Sequence, residues 1–203
     1  MDSQSSNERF GERPPGARER ILQAAYELFS HRGVGAVGVD AIVERAGVAK
    51  MSLYRHFQSK EGLVLAFMDR RARLWKEQWL ETEVMRRAVD PEARLLAIFD
   101  VFADWFHARD FEGCAFINVL LESVPESPVR TAAAEHLASI RAFVERLARQ
   151  AQLDDPADFA RTWHILMKGS IVAAGEGHRD AARDARNAGV LILQTWPRLR
   201  SAH

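Results

Sequence analysis

The sequence predicts an all-α protein, and three observations carry that prediction. Apolar residues recur at spacings of three and four along most of the chain. Helix-ending glycines and helix-starting prolines fall between these periodic stretches. No pair of alternating apolar runs flanks a tight-turn dipeptide, so there is no β-hairpin signal. About nine helices are expected, a small three-helix unit followed by a larger helical domain. At 203 residues the chain can bury a sizeable core.

Residues 1–16 are polar, with two prolines, and read as a flexible arm. The first helix opens at Ala17, with Ile21, Ala24, Ala25, Leu28 and Phe29 on one face, and Gly33 stops it. A second turns Val39, Ile42, Val43 and Ala46 inward and ends at Gly47. The third runs from near Lys50 to Phe57, with Leu53 and Phe57 as its inward pair. A long helix follows from about Ser59 to Ala88, carrying Leu63, Phe67, Leu74, Trp75 and Val84 among many charges. Asp90 and Pro91 form a helix start, a capping side chain and then Pro at the first helical position. That helix carries Leu95, Phe99, Phe102, Trp105 and Phe106 before "RDFEG" ends it. A short helix sits in "CAFINVLLE", another spans 128–152, and two last helices cover roughly 156–176 and 179–196. The expected domains are therefore 17–60 and 61–203.

Composition narrows the function. A hydrophobic share of 47% with 28% charged residues is ordinary for a soluble globular protein. No apolar run approaches the ~20 residues that span a bilayer. The N-terminus lacks the apolar centre of a secretory signal, so a cytoplasmic protein is expected. One cysteine, Cys114, excludes an internal disulfide framework and a cysteine-rich metal site. The seven histidines include no pair at i,i+4 and no H-E-x-x-H, so neither a metal nor a cofactor is expected. "GVGAVG" follows no strand and fails as a dinucleotide loop, and no G-x-S-x-G elbow occurs. An all-α enzyme built from separate helices stays open as an alternative.

The formal net charge is zero, yet "RAGVAKMSLYRHFQSK", residues 45–60, holds four basic residues and no acidic one. Two short helices joined by "AGVA" make a helix-turn-helix, whose second helix enters the major groove. At 100° per residue, Lys50, Met51, Tyr54 and Arg55 lie opposite Leu53 and Phe57, with Ser52 and His56 flanking them. Lys50 suits guanine O6 or N7, Met51 a thymine methyl, and Ser52 a base or a phosphate. Tyr54, His56 and Lys60 suit phosphates and fix register without reading sequence. Charge runs are often just solvated faces, which is the competing reading.

Residues 18–66 resemble the N-terminal domain of TetR/AcrR transcriptional regulators. The matching positions are "AAYELF", Gly33, Val39, Ile42, Ala46-Gly47-Val48, Leu53-Tyr54, His56-Phe57, Lys60 and Leu63. The resemblance implies that Ser52, Tyr54, His56 and Lys60 occupy the family's DNA-contact positions. Val37, Gly38 and Ala49 depart from it, standing where hydroxyl residues are common. Either backbone affinity is lower for that reason, or Arg9 and Arg13 of the arm compensate through the minor groove.

The resemblance also implies a homodimer on a pseudo-palindromic operator, joined through the last two helices. Both flanks of the first of these are apolar, and small residues permit close approach. The expected dimer residues are Trp163, Met167, Ser170, Ile171, Ala174, Ala185, Ile192 and Trp196, with a monomer core as the other reading. The middle helices are rich in aromatics, which either fill core or line a pocket for a small, largely apolar or aromatic inducer. The expected ligand residues are Trp75, Trp79, Phe102, Trp105, Phe106, Cys114, Phe116, Phe143, Trp163 and Met167. His107, Asn118, His136 and His164 are candidate polar groups among them. A ligand-responsive repressor is therefore expected. A DNA-bound scaffold acting through a protein partner is the second reading.

Overall fold

A computed structural model of the chain describes residues 15–199. Arg9 and Arg13 of the expected arm lie outside the described residues. Within them the chain forms nine helices and no strand: α1 (Ala17–Arg32), α2 (Val39–Ala46), α3 (Lys50–Phe57), α4 (60–87), α5 (Pro91–His107), α6 (Ala115–Glu122), α7 (Pro128–Gln150), α8 (Pro156–Gly175) and α9 (Ala181–Thr195).

The small N-terminal unit closes around a few apolar side chains. Ile21, Ala25, Ile42 and Leu53 have no measurable exposure, and Phe29 and Phe57 join them. Fully burying a Leu or Phe contributes ~1.5–3 kcal/mol, so Leu53 and Phe57 are what hold α3 against α1 and α2. Gly47 ends α2 with φ 62°, a left-handed conformation open to glycine without cost. At the next corner Ser59 caps α4 by accepting from the Gly62 N–H at 3.0 Å. A Cβ on Gly62 would lie 2.3 Å from the Phe57 carbonyl oxygen, so only glycine lets α4 start this close to the end of α3.

α4 is one continuous helix with an unusual middle. Lys60–Arg71 and Thr82–Arg87 are α-helical, but Ala72–Glu81 is wound as a π-helix. The wider winding breaks the 3.6-residue period across these ten residues. Trp75 and Leu80 are buried there, while Leu74, expected among the apolar contacts, is 38% exposed. The expected boundary at residue 60 therefore falls at the start of a helix that serves both parts.

In the body, α7 packs between α6 and α8 and touches α4, while α9 packs on α5 and α8. A Cβ on Gly189 of α9 would meet the Trp163 ring at 2.8 Å and Phe99 at 3.3 Å, so that glycine sets the three-helix approach. The C-terminal segment folds back on the α7–α8 turn. Asp154 donates its N–H to the Pro197 carbonyl at 2.9 Å, and the Trp196 indole donates to the Asp154 carbonyl at 2.8 Å.

Candidate nucleic-acid interface and aromatic body

The face of α3 opposite Leu53 and Phe57 is open to solvent. Met51 is 70% exposed and Tyr54 39%, and Lys50, Arg55 and His56 are exposed beside them; Ser52 is half-buried. Met51 therefore packs against nothing in the chain and stands in the middle of the basic face. Arg18 stacks its guanidinium 5.2 Å from the Phe57 ring centroid and supports the helix from behind.

Three of the four basic residues in 45–60 are tied more closely than sequence suggests. Lys50 pairs with Asp40 of α2 at 2.7 Å, a bond that raises the lysine's pKa. Both partners are exposed, and an ion pair of this kind contributes little to stability, so a base or phosphate can displace it. Lys60 donates to the Val34 carbonyl in the α1–α2 turn at 2.8 Å, which puts its ammonium half-buried against that turn. Arg45 is bonded to Glu27 of α1 and lies off the α3 face. None of these partners is near in sequence, and no local pattern announces them.

The N-terminal unit is also fastened to the body. Glu122, at the end of α6, accepts the Gly35 N–H at 3.1 Å, and Glu112 bonds His31 at the end of α1. Arg70 of α4 bonds Glu19 at 2.6 Å and Gln23 at 2.8 Å, and Arg71 donates to the Tyr26 hydroxyl at 2.9 Å. Neither glutamate belongs to a sequence motif that points to this role. Both stand just outside an apolar stretch, where acidic residues are common and uninformative.

The expected ligand residues separate into three groups. Trp75, Trp79 and Trp105 pack at centroid distances of 5.3–6.0 Å and, with Tyr26, wall a cleft of about 530 Å³ between α1, α4 and α5. Phe102, Cys114 and Met167 join Trp75 around an internal void of only about 10 Å³. Phe106, Phe116, Phe143 and Trp163 are buried as core. A space of ~10–15 Å³ holds at most one water, so a ligand at the void requires these rings to move.

Of the four candidate polar groups, His164 alone lines that void and is 4% exposed. Burial first, then the charges of Lys168 and Arg141, push its pKa down to about 4. His107 bonds its own helix at the Ala103 carbonyl at 2.8 Å, Asn118 is exposed, and His136 stacks on Phe116 at 5.0 Å. Burial raises the Cys114 thiol pKa, which disfavours the thiolate that redox sensing needs.

The expected dimer residues are mostly placed inside the chain's own core. Trp163, Met167, Ser170, Ile171, Ala174 and Ala185 are all buried, Ile192 is half-buried, and Trp196 packs edge-on against Phe159 at 5.1 Å. With both flanks of α8 apolar, periodicity alone does not say which flank faces inward. The outward set is Ile165 at 67% exposure and Val172 at 51% on α8, with Leu191 at 64% on α9. Among the described residues no helix is long and apolar enough to cross a membrane, and no group of three His, Cys, Asp or Glu is arranged for a metal ion.

A helix-turn-helix unit joined by one long helix to an all-helical body is the build of a transcriptional regulator. Residues 21–67 match the pattern described as bacterial regulatory proteins, tetR family, and residues 91–188 match the tetracyclin repressor-like C-terminal domain. The chain belongs to the TetR family of bacterial regulatory proteins. It is 36% identical over 131 residues to the HTH-type transcriptional activator FasR of Mycolicibacterium smegmatis, covering 57% of this chain and 58% of that one. The match thus spans little more than half of FasR's own length. Identity to the HTH-type transcriptional repressor ComR of Escherichia coli is 27% over 191 residues, covering 90% of both proteins. Among solved structures, a TetR-family transcriptional regulator from Streptomyces coelicolor superposes with a TM-score of 0.78 at 26% identity, covering 90% of each chain. These relatives are transcriptional regulators and not enzymes.

Proposed function

We propose that the chain is a ligand-responsive transcriptional repressor that binds a pseudo-palindromic DNA operator as a homodimer. The observation that carries this reading is the solvent-open face of α3, with Lys50, Met51, Tyr54, Arg55 and His56 presented by a buried Leu53–Phe57 anchor. Lys50, Met51 and Ser52 read base edges, whereas Tyr54, Arg55 and His56 hold phosphates. Lys60 acts as a phosphate donor after exchanging its bond to Val34. A reader of eight residues makes few contacts, so two copies set about one helical turn apart, ~34–36 Å, supply the specificity.

The dimer forms through the outward faces of α8 and α9. Ile165, Val172 and Leu191 form an exposed apolar set there, with Gly169 between the first two to let a partner helix approach. A small inducer binds at the aromatic region and favours a different spacing of the two α3 helices. Operator and inducer then weaken each other by the same factor, for a coupling of ~1–3 kcal/mol. α4 transmits the change, since Lys60 lies at its DNA end and Trp75 and Trp79 lie in its π-wound part. Selection of bound duplexes from a random pool tests the reading. It predicts a two-fold symmetric motif, and an asymmetric motif or no enrichment overturns it.

A further inference from the structure

We infer that the cleft between the N-terminal unit and the body binds an organic cation that also carries an oxygen acceptor. This rests on the ligand-responsive reading above and names its ligand class. The cleft lies at the junction of two parts, between the second half of α1, the π-wound stretch of α4 and the end of α5. Its volume of about 530 Å³ falls in the range of preformed small-molecule sites, ~300–1,000 Å³. π-wound turns cost regular helix geometry and occur often at functional sites. Trp75 and Trp79, both in this stretch, line the same cavity.

The walls select charge. Indole faces attract cations through the ring quadrupole, tryptophan most of all. Tyr26 already shows this, with the Arg70 and Arg71 guanidinium carbons each 5.6 Å from its ring centroid. Trp79 and Trp105 are half-buried and carry no such cation among the described residues. Four carboxylates, Glu27, Asp104, Asp110 and Glu112, line the cleft against a single guanidinium, Arg71. Three of them already have partners: Arg45 for Glu27, Arg87 for Asp104 and His31 for Glu112. Asp110 has no ion-pair partner among the described residues and is exposed. It is the carboxylate available to a ligand's cationic centre.

A second observation supplies the oxygen. Trp75 is 9% exposed and lines the cleft, and its Nε1–H has no acceptor among the described residues. A buried donor left unpaired costs free energy until something accepts from it. That N–H is itself covered, so an ether, ester or carbonyl oxygen placed a few atoms from the cation satisfies it once the Trp75 ring turns toward the cleft, while the charged end lies between Trp79, Trp105 and Asp110. A ligand seated here bridges α1 and α5, so it bears directly on how the reader is held.

Calorimetry on the full chain tests the site with three probes of one shape: (2-phenoxyethyl)trimethylammonium, its uncharged carbon isostere 3,3-dimethylbutyl phenyl ether, and 3-phenoxypropionate. The cation is expected to bind at least about tenfold more tightly than either analogue. Trp79→Leu should weaken the cation about tenfold, and the exposed Asp110→Asn, which leaves the fold intact, should weaken it while leaving the neutral ether unchanged. Equal binding of the ether or the carboxylate overturns the inference, as does a cation that fails to bind or that ignores both substitutions. Calorimetry needs no DNA, so failure of operator selection bears on the regulator reading alone. A cation that binds here and leaves operator affinity unchanged keeps the site and removes its regulatory role.

Discussion

Helices α1, α2 and α3 begin on Gly16, Gly38 and Ala49, none of which caps the helix with a side chain. From α4 onward four of the six helices are capped by a side chain, and only α6 and α9, which begin on Cys114 and Asp180, are not. Ser59, Asp90, Ser127 and Asp155 each accept a bond from a first-turn N–H, and Pro91, Pro128 and Pro156 follow the last three. The side chains divide the same way. Around α3 the outward residues make few contacts, whereas in the body Phe102, Phe106, Phe116 and Trp163 are used up in packing. The reader leaves first-turn backbone donors without side-chain caps and the Tyr54, Arg55 and His56 side chains unspent, which suits an external polyanion. The body buries most of its aromatic groups internally and keeps space at the cleft beside α1 and at a groove of about 530 Å³ between α6 and α8.

The contrast can be broken from the reader's side. Leu53→Ala removes a fully buried side chain from the smaller core, and such truncations cost ~2–5 kcal/mol. Hydrogen exchange should show protection lost first in α1–α3, with α7–α9 still protected. Uniform loss across the chain would mean the two regions do not differ in local stability.

The body's side is probed by pH. His164 is neutral in the folded chain, with a pKa of about 4 against an ordinary 6.5. The unfolded chain therefore binds the extra proton first as pH falls. Stability is unaffected by this group above about 6.5 and declines as pH drops from there through about 4, by up to ~3 kcal/mol. Denaturant titrations across that window should show the slope in the wild type and a shallower one in His164→Gln. An identical slope in both would show that His164 is not buried as described.

A smaller change sharpens the comparison. Ala49→Ser gives α3 the side-chain cap it lacks, which should stabilise the reader by about 1 kcal/mol in thermal unfolding. No gain would mean that the start of α3 is already satisfied in another way.

The helices were legible because their period is amphipathic and their ends carry recognisable residues. Gly33, Gly47, Pro91, Pro128 and Pro156 stand within a residue or two of the observed ends. The π-winding of α4 was not, since a change of hydrogen-bond register leaves the amino-acid pattern intact and shows only when Leu74 turns outward. On α3 one face is apolar and the other polar, so its outward residues could be read from angle alone. On α8 both flanks are apolar, and sequence could not tell which one the chain keeps for itself. The ties from Lys50 to Asp40, Lys60 to Val34 and Glu122 to Gly35 depend on tertiary approach and leave no local trace.

The central claim is that the open face of α3 is the part of the chain that grips DNA. It is tested most directly by titrating a selected operator duplex, at moderate salt, with wild type and Tyr54→Ala whose oligomeric state has been matched by sedimentation. The account predicts two chains per duplex for the wild type and a loss of ~1–3 kcal/mol in binding for the variant, with its assembly and unfolding midpoint unchanged. Equal operator affinity for the two proteins would contradict it.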